Sequence, residues 1–435
     1  MPDFSYVRSE MLPEKAPPKS EVGIYGWLRT NLFSSVTNSI LTVVALYFVV
    51  SLLRGVLPWA FSPTWGAESL SDCRGILHEL GREGHFAGAC WGVIRERWTQ
   101  LLFGFYPIEA LWRPLVAFIL LGVAMAPVLF TSVPKKLLWF SAVFPFLCFW
   151  LIWGGSIWFP LAIFAGLLLA GVAFILVTRY SGSTLVGVIA TMLVPVLWWI
   201  FFTDPVSSAV HFVLPISLEQ VESQNIGGFL LAVLIGLTGV TLSLPLGVIL
   251  ALGRQSDLPL LKYSCVAFIE FIRGVPLITL LFVASTLLNY FMPPGTNFDL
   301  VLRVMIMVTL FASAYMAEVI RGGLAALPTG QYEAADSLGL NYWTAQRLII
   351  MPQALKISIP GIVSTFIGLF KDTTLVGIVG LFDPILLSTN IRADQAWNGV
   401  LWELYGFIGL VFFIFCFSMS RYSMYLERKL ATGHR

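Results

Sequence analysis

Long apolar segments separated by short polar connections follow one another along most of this 435-residue chain. A helix needs about 20 mostly apolar residues to cross the hydrocarbon core of a bilayer. The pattern therefore predicts an all-α polytopic membrane protein with about ten transmembrane helices. Their expected bounds are Val36–Leu57, Pro114–Val133, Leu137–Trp153, Trp158–Thr178, Thr184–Phe202, Gly227–Leu252, Val266–Phe291, Leu300–Val319, Leu355–Phe382 and Leu404–Tyr422.

Composition agrees with this interpretation. Hydrophobic residues make up 57% of the chain, charged residues only 11%, and the mean hydropathy is +0.84. An ordinary soluble domain carries roughly 25% charged residues. The formal net charge of +2 gives no indication of a nucleic-acid partner. The first 35 residues contain charges of both signs and no apolar segment before a small-residue cleavage site, so no cleavable signal peptide is expected.

Lysine and arginine are concentrated in every second connection, which predicts the orientation of the chain. Short cytoplasmic loops carry an excess of these residues. If residues 1–35 are cytoplasmic, the C-terminus is cytoplasmic too, and Arg303 is the one basic residue near an outer helix end. The basic residues then placed on the cytoplasmic side are Lys135, Lys136, Arg179, Arg254, Lys262, Arg321, Arg347, Arg428 and Lys429.

The same topology makes residues 58–113 the long extracytoplasmic loop. Cys73 and Cys90 would lie there in an oxidising compartment, where a disulfide between them would stabilise the loop by about 3 kcal/mol in the chain-entropy model. Two unbonded thiols are the alternative, since spacing alone does not establish the geometry of a disulfide. The other three cysteines lie in apolar segments and are expected to be small buried hydrophobes.

Residues 333–352 interrupt the apolar pattern between two predicted spans. We interpret this segment as two short helices and a turn. Gly339 can take the left-handed conformation that ends the first helix, and Asn341 can cap the second. Pro352 is expected to stop the second helix before the next apolar segment begins. The sequence therefore predicts a short, structured projection from the membrane.

The spacing in this segment resembles the EAA loop of type I ABC importer permeases. That loop has Glu-Ala-Ala, three residues, Gly, nine residues, Ile, one residue, an apolar residue and Pro. In that family it is the coupling helix, seated in a groove of a separate ATP-hydrolysing subunit. An amphipathic interfacial helix-turn-helix without a partner is the alternative. The matching residues are Glu333, Ala334, Ala335, Gly339, Ile349 and Pro352, with Met351 where Leu is usual.

The first helix of this segment would present a surface suited to a partner. Small side chains at Ala334 and Ala335 and an apolar one at Leu338 would let a partner backbone approach closely. Glu333 would supply one charge for orientation. We therefore expect these residues, with Gly339 and Pro352, to couple the chain to an ATPase.

A second segment, Glu270 to Pro276, resembles the Glu-x-x-Arg-Gly-x-Pro sequence of polar amino acid permeases. Glu270 and Arg273 are three residues apart, so they share a helix face and can neutralise one another. Gly274 and Pro276 would permit a bend or close packing. A role in gating and a structural ion pair remain equally open.

A third segment, Lys371-Asp372-Thr373, is similar to the Lys-Asp-Thr/Ser pattern of the same permeases. Two opposite charges in an apolar segment are costly unless they face a polar cavity or each other. A substrate with an ammonium and a carboxylate needs such a set of acceptor, donor and hydroxyl groups. We expect substrate contact from these three residues, with Asn289 as a weaker candidate, or else a buried structural pair.

These resemblances also suggest a domain organisation. Residues 227–435 are similar to the five-helix core of polar amino acid permeases, with the coupling loop at 328–352. Residues 36–226 would then form an N-terminal extension of five helices, preceded by a cytoplasmic tail at 1–35. With this extension, the chain resembles the larger permease subunit of general L-amino acid, or glutamate/glutamine/aspartate/asparagine, importers.

The resemblance implies a bacterial inner-membrane permease subunit that takes up polar L-amino acids delivered by an extracytoplasmic binding protein. It implies a second permease subunit and two ATPase subunits as partners. The sequence contains no phosphate-binding loop, nucleophile elbow or metal-ligand cluster. We therefore expect no catalytic residue, bound cofactor or metal in this chain, with ATP and Mg used by the partner ATPase.

Two other classes of function remain as alternatives. One is a gradient-driven secondary amino acid transporter that uses the Lys371–Asp372 site. Inverted repeats and paired broken helices, which are typical of that class, are not evident in the sequence. The other is a membrane-embedded scaffold or enzyme, for which the sequence offers no catalytic cluster.

Overall fold

The computed structural model describes residues 22–84, 87–287, 290 and 299–430. Eight helices in this part are long and apolar enough to cross a membrane, and two further helix pairs raise the number to ten if each bent pair is one span. The prediction of an all-α polytopic membrane protein is confirmed. The chain divides into two compact units, Met1–Gly92 and Val93–Arg435, which are described separately.

The first unit contains α1 (Gly23–Asn31), α2 (Val36–Ala60) and α3 (Leu70–Glu79). Ser35 caps α2, since its side chain accepts a hydrogen bond from the N–H of Asn38 at 3.1 Å. No side chain of α2 is buried within the chain. A helix that is apolar on all sides must be covered by lipid or another subunit.

A folded segment follows α2 and contains the disulfide between Cys73 and Cys90, whose Cα atoms are 5.7 Å apart. Both cysteines are buried. The ring of Trp91 stacks on Trp65 with 5.6 Å between ring centroids, and its Nε1 donates a hydrogen bond to the carbonyl of Ala60 at 2.6 Å. The disulfide therefore joins α3 to the residues that anchor this segment at the end of α2.

Removing this disulfide should loosen the segment. We expect the double variant Cys73→Ala, Cys90→Ala to lose about 3 kcal/mol of the free energy of unfolding, because the disulfide no longer restricts the unfolded loop. Limited proteolysis of membrane vesicles would detect this as faster cleavage between α2 and α4. Cys416→Ala, which changes a free cysteine, should leave the cleavage rate unchanged. Equal protease resistance of the double variant and the wild type would contradict the prediction.

The second unit opens with a run of helices joined by short turns. Between α6 and α7, Gly154 and Gly155 have φ values of +74° and +78°, a conformation that favours glycine. Strand β1 (Gly155–Ser156) pairs antiparallel with β2 (Ser217–Leu218). Helices α8 and α9 are bent by 54°, so the predicted span Thr184–Phe202 continues into a second helix. The helices of this run are α4 (Gly92–Phe103), α5 (Trp112–Leu129), α6 (Leu138–Trp153), α7 (Trp158–Ser181), α8 (Thr184–Phe201) and α9 (Thr203–Val213).

The remaining helices form the C-terminal part of the unit. Buried side chains of α5 and α6, among them Ala117 and Leu151, share one hydrophobic cluster with Leu231, Val304 and Leu369 from this part. The two parts are therefore packed together by a common core. The helices are α10 (Gly228–Gln255), α11 (Pro259–Gly274), α12 (Leu277–Phe282), α13 (Leu300–Ala325), α14 (Thr329–Ser337), α15 (Tyr342–Ala345), α16 (Met351–Asp372), α17 (Pro384–Ala393) and α18 (Trp402–Leu430).

Within the described residues, the span expected over Val266–Phe291 is broken at the place where Gly274 and Pro276 were expected to permit a bend. Helix α11 ends at Gly274, α12 begins at Leu277, and the two are bent by 103°. Val275 between them is extended, with φ −107° and ψ 132°. A residue before proline is disfavoured in the α conformation, and Pro276 itself has no N–H to donate. The Val-Pro pair therefore breaks the span.

Pro352 does not stop the helix that precedes it, which corrects an expectation. The chain runs from α15 through a π-helical turn at Gln346–Ile350 directly into α16. The resulting helical run, Tyr342–Val379, has 38 residues. Proline is tolerated in the first turn of a helix, and a π turn shifts the backbone hydrogen bonds that its ring would otherwise obstruct.

Asp383 caps α17 from a buried position. Its side chain accepts hydrogen bonds from the N–H groups of Leu386 at 2.9 Å and Ile385 at 3.3 Å. The residue is 1% exposed, and this burial raises the pKa of its carboxyl to about 6. Burial therefore favours the protonated, uncharged form of this capping side chain.

Replacing Asp383 by asparagine should remove a pH dependence of stability. The folded-state pKa of about 6 lies above the value of about 4 for an unfolded aspartate. The group therefore stabilises the fold fully below about pH 4, and that contribution is lost as pH rises through about 6. Asparagine keeps the capping oxygen without the charge. We expect Asp383→Asn to raise the thermal midpoint near neutral pH more than near pH 4.

The control for this comparison is Asp299→Asn, because Asp299 caps α13 from an exposed position. Thermal unfolding of both variants in detergent, compared with the wild type at each pH, would measure the difference. A midpoint shift in Asp383→Asn that is independent of pH would contradict the prediction.

Candidate functional site

The EAA-like loop, residues 328–352, has the turn that its sequence predicts. The N–H of Gly339 donates to the carbonyl of Asp336 at 2.9 Å, and the N–H of Leu340 donates to the carbonyl of Ala335 at 3.2 Å. With Gly339 at φ +67°, this is a Schellman motif, which favours glycine. The side chain of Asn341 then caps α15 through a 2.8 Å bond from a backbone N–H. The predictions for Gly339 and Asn341 are confirmed.

The loop presents a mixed charged and apolar surface. Glu333 and Ala334 are exposed, and Leu338 and Trp343 are each 72% exposed. We call these four residues the coupling surface, after the role that the sequence led us to expect. Ala335, in contrast, is 1% exposed and packs into the chain itself. Contrary to the expectation from the sequence, its side chain is not open to a partner. Large apolar side chains left exposed beside a charge are typical of a docking site.

Glu270 and Arg273, whose spacing would allow them to neutralise one another, pair with other residues instead. Arg254 on α10 donates from Nη1 to Glu270 at 2.9 Å and to Glu318 on α13 at 2.8 Å. Arg273 Nη1 lies 3.7 Å from the Glu318 carboxylate, to which Arg321 donates at 3.0 Å. We call these five residues the Glu318 cluster. Each predicted residue pairs across helices because packing of α10, α11 and α13 brings closer partners.

A cavity of about 350 Å³ lies between α13 and α16. This volume falls within the range of small-ligand sites. Asp372 contributes a carboxylate, and the neighbouring side chains contribute hydroxyl groups and aromatic rings. A carboxylate and a ring face are the groups that attract an ammonium ion. The residues that line the cavity include Phe311, Tyr315, Ser364, Thr365, Leu369 and Asp372.

Of the four predicted substrate residues, the structure brings Asp372 to this cavity. Thr373 is 1% exposed, and its hydroxyl donates to the carbonyl of Phe370 at 2.7 Å. Lys371 is exposed and does not line the cavity. Asn289 lies outside the described residues. The Thr373 hydroxyl is therefore used in a hydrogen bond within its own helix and does not face a ligand.

Comparisons with known proteins identify the family. Residues 243–432 match the family model of the binding-protein-dependent transport system inner membrane component. A glutamate/glutamine/aspartate/asparagine transport system permease protein of Rhodobacter capsulatus is 57% identical over 437 residues, covering 100% of both chains. The chain belongs to this family of inner-membrane permeases. The family resemblance inferred from the EAA-like loop is thereby confirmed, and the protein is a multi-pass component of the inner membrane.

Two further relatives differ in how much of this permease they cover. An inner membrane amino-acid ABC transporter permease protein of Escherichia coli K12 is 40% identical over 411 residues, covering 94% of this chain and 93% of the relative. A probable glutamine ABC transporter permease protein of Bacillus subtilis is 32% identical over 202 residues, covering 46% of this chain and 90% of the relative. Residues 243–432, matched by the family model, contain the coupling surface, the Glu318 cluster and the cavity.

Sequence reasoning missed Glu318 and Tyr315 in this permease. Glu318 is a carboxylate inside the predicted span Leu300–Val319, and its side chain is only 15% exposed. Ionisable residues within spans are expensive and usually functional, so that rule would have found it. Tyr315 had no such signal, because a tyrosine in a span is ordinary.

Proposed function

We propose that this permease takes up polar L-amino acids, either acidic amino acids and their amides or a broader range. An extracytoplasmic binding protein delivers the substrate to the permease. A second permease subunit and two ATPase subunits complete the importer. Substrate passes the cavity between α13 and α16 as the permease pair alternates between outward and inward openings.

The observation that carries this proposal is the relative that matches over its whole length. Both chains are covered completely at 57% identity, and that relative is a glutamate/glutamine/aspartate/asparagine permease. The cavity adds chemical support. Asp372 is suited to the α-ammonium group that all of these amino acids share, while the hydroxyls of Ser364 and Thr365 suit the carboxylate or amide groups.

The coupling surface supports the ATPase as a partner. Its exposed Leu338 and Trp343 are unfavourable in water and suited to a groove on another protein. The sequence contains no phosphate-binding loop, so in this proposal ATP is hydrolysed by another chain. ATP and Mg would be bound by that ATPase, and the permease itself would transport without catalysis.

The orientation in this proposal keeps both termini in the cytoplasm. If each bent helix pair crosses once, eight spans among the described residues precede residue 328. That even number supports an EAA-like loop on the same side as the N-terminus. Lys135, Arg254 and Arg347 lie on that side too, in agreement with the positive-inside rule.

Purification of the tagged permease in a mild detergent, followed by mass spectrometry of its partners, would test the proposal. We expect an ATPase and a second permease chain in stoichiometric amounts. Proteoliposomes containing that complex should then take up glutamate or glutamine only with ATP and a liganded binding protein. A permease that purifies alone and transports amino acids under an ion gradient without ATP would overturn the proposal in favour of a secondary transporter.

A further inference from the structure

One face of helix α13 contributes residues to both the cavity and the Glu318 cluster. Phe311 and Tyr315 line the cavity, and Glu318 is three residues further along. Residues three and four apart are neighbours on a helix surface. Since α13 ends at Ala325 and α14 follows it, Glu318 lies about one turn from Tyr315 in the direction of the EAA-like loop.

Arg273 joins the cavity wall to the cluster. Its guanidinium carbon lies 5.6 Å from the centroid of the Tyr315 ring, a cation–π contact. The same guanidinium is 3.7 Å from the Glu318 carboxylate, whereas Arg254 and Arg321 donate to that carboxylate at 2.8 and 3.0 Å. Arg273 is therefore shared between a ring that faces the cavity and a carboxylate that it does not contact closely.

The position of Arg273 in the chain adds a mechanical consequence. It lies in the last turn of α11, immediately before the break at which α11 and α12 are bent by 103°. Few helical hydrogen bonds cross such a break, so the two helices can change angle at low cost. A shift of the Arg273 side chain can therefore move the end of α11.

We propose that Tyr315, Arg273 and Glu318 form a relay that reports occupancy of the cavity to the end of the core that carries the EAA-like loop. This inference rests on the proposed function, because it takes an amino acid as the ligand. The ammonium group of the ligand and the Arg273 guanidinium are both attracted to the Tyr315 ring. A bound ligand displaces Arg273 from the ring and onto Glu318, which draws α11 towards α13.

The relay can be tested in the complete importer in lipid nanodiscs, by the ratio of ATPase activity with and without glutamine-loaded binding protein. We expect Arg273→Gln and Tyr315→Leu each to lower that ratio by about fivefold, the low end of allosteric coupling. Tyr315→Phe keeps the ring and should keep the wild-type ratio. Because both residues act through one contact, the double variant should be no worse than either single variant.

Arg428→Gln is the matched control. Arg428 is exposed on α18 and donates to the carbonyl of Met424 in the same helix, so its loss removes an arginine outside the relay and should leave the ratio unchanged. An unchanged ratio in Arg273→Gln, additive losses in the double variant, or equal losses in Tyr315→Leu and Tyr315→Phe would overturn the relay. If Arg273→Gln fails to assemble, the comparison of the two Tyr315 variants decides. Failure of the wild-type complex to take up glutamine with ATP would instead overturn the proposed function.

Discussion

Uptake should fall by on the order of a hundredfold or more when Glu333 is replaced by lysine, because like charges brought together at an interface cost several kcal/mol. Glu333 is the charged member of the coupling surface and is exposed on α14. A groove that accepts this carboxylate would repel the lysine. The chain should still insert and fold, since Glu333 makes no side-chain contact that its own helices require.

The control for Glu333→Lys is Glu427→Lys. Glu427 is also exposed, near the C-terminal end of α18 and outside the EAA-like loop, where it accepts a hydrogen bond from Ser423. Amino acid uptake by cells, normalised to the amount of permease in the membrane, would measure both variants. Wild-type uptake in Glu333→Lys, or equal losses in the two variants, would contradict a coupling role for Glu333.

The second large effect is expected at the cavity. Asp372→Asn removes the only carboxylate among the described residues that line it while keeping the shape of the side chain. A hydrogen bond to a charged group contributes about 1.5–3 kcal/mol, so substrate should bind about 10- to 100-fold more weakly. Stimulation of the ATPase by glutamine-loaded binding protein should weaken accordingly, and uptake should require a higher substrate concentration.

Thr373→Val is the matched control for this experiment. The Thr373 hydroxyl is bonded to a helix carbonyl and does not line the cavity, so its loss should leave transport near the wild-type level. A drop in transport with Thr373→Val as large as with Asp372→Asn would assign the effect to the helix end. Wild-type transport by Asp372→Asn would remove the substrate role.

Features that depend on a few neighbouring residues were predictable from the sequence. The turn at Gly339 and the cap at Asn341 follow from local backbone preferences, which hold wherever the segment lies. The break before Pro276 was predictable in the same way, because proline constrains Val275 directly. Gly274 and Pro276 indicated a possible bend there, but the apolar pattern continues through it, and hydropathy alone does not distinguish one helix from two.

Features that depend on packing between distant segments were not predictable. Glu270 could reach Arg273 by spacing alone, but Arg254 on another helix lies closer once α10 and α11 are packed together. Thr373 follows Asp372 in the sequence, yet the turn of the helix directs one residue to the cavity and buries the other. Ala335 is buried for the same reason, since only the folded chain decides which face of α14 is free.

The uninterrupted run from Tyr342 to Val379 also sets a length scale for the molecule. Its α-helical part, α16, has 22 residues and is about 33 Å long at 1.5 Å per residue, close to the thickness of the hydrocarbon core. A tilt of about 10° about one end moves the other end by about 6 Å, so a small rotation at the EAA-like loop displaces the end of α16 at Asp372.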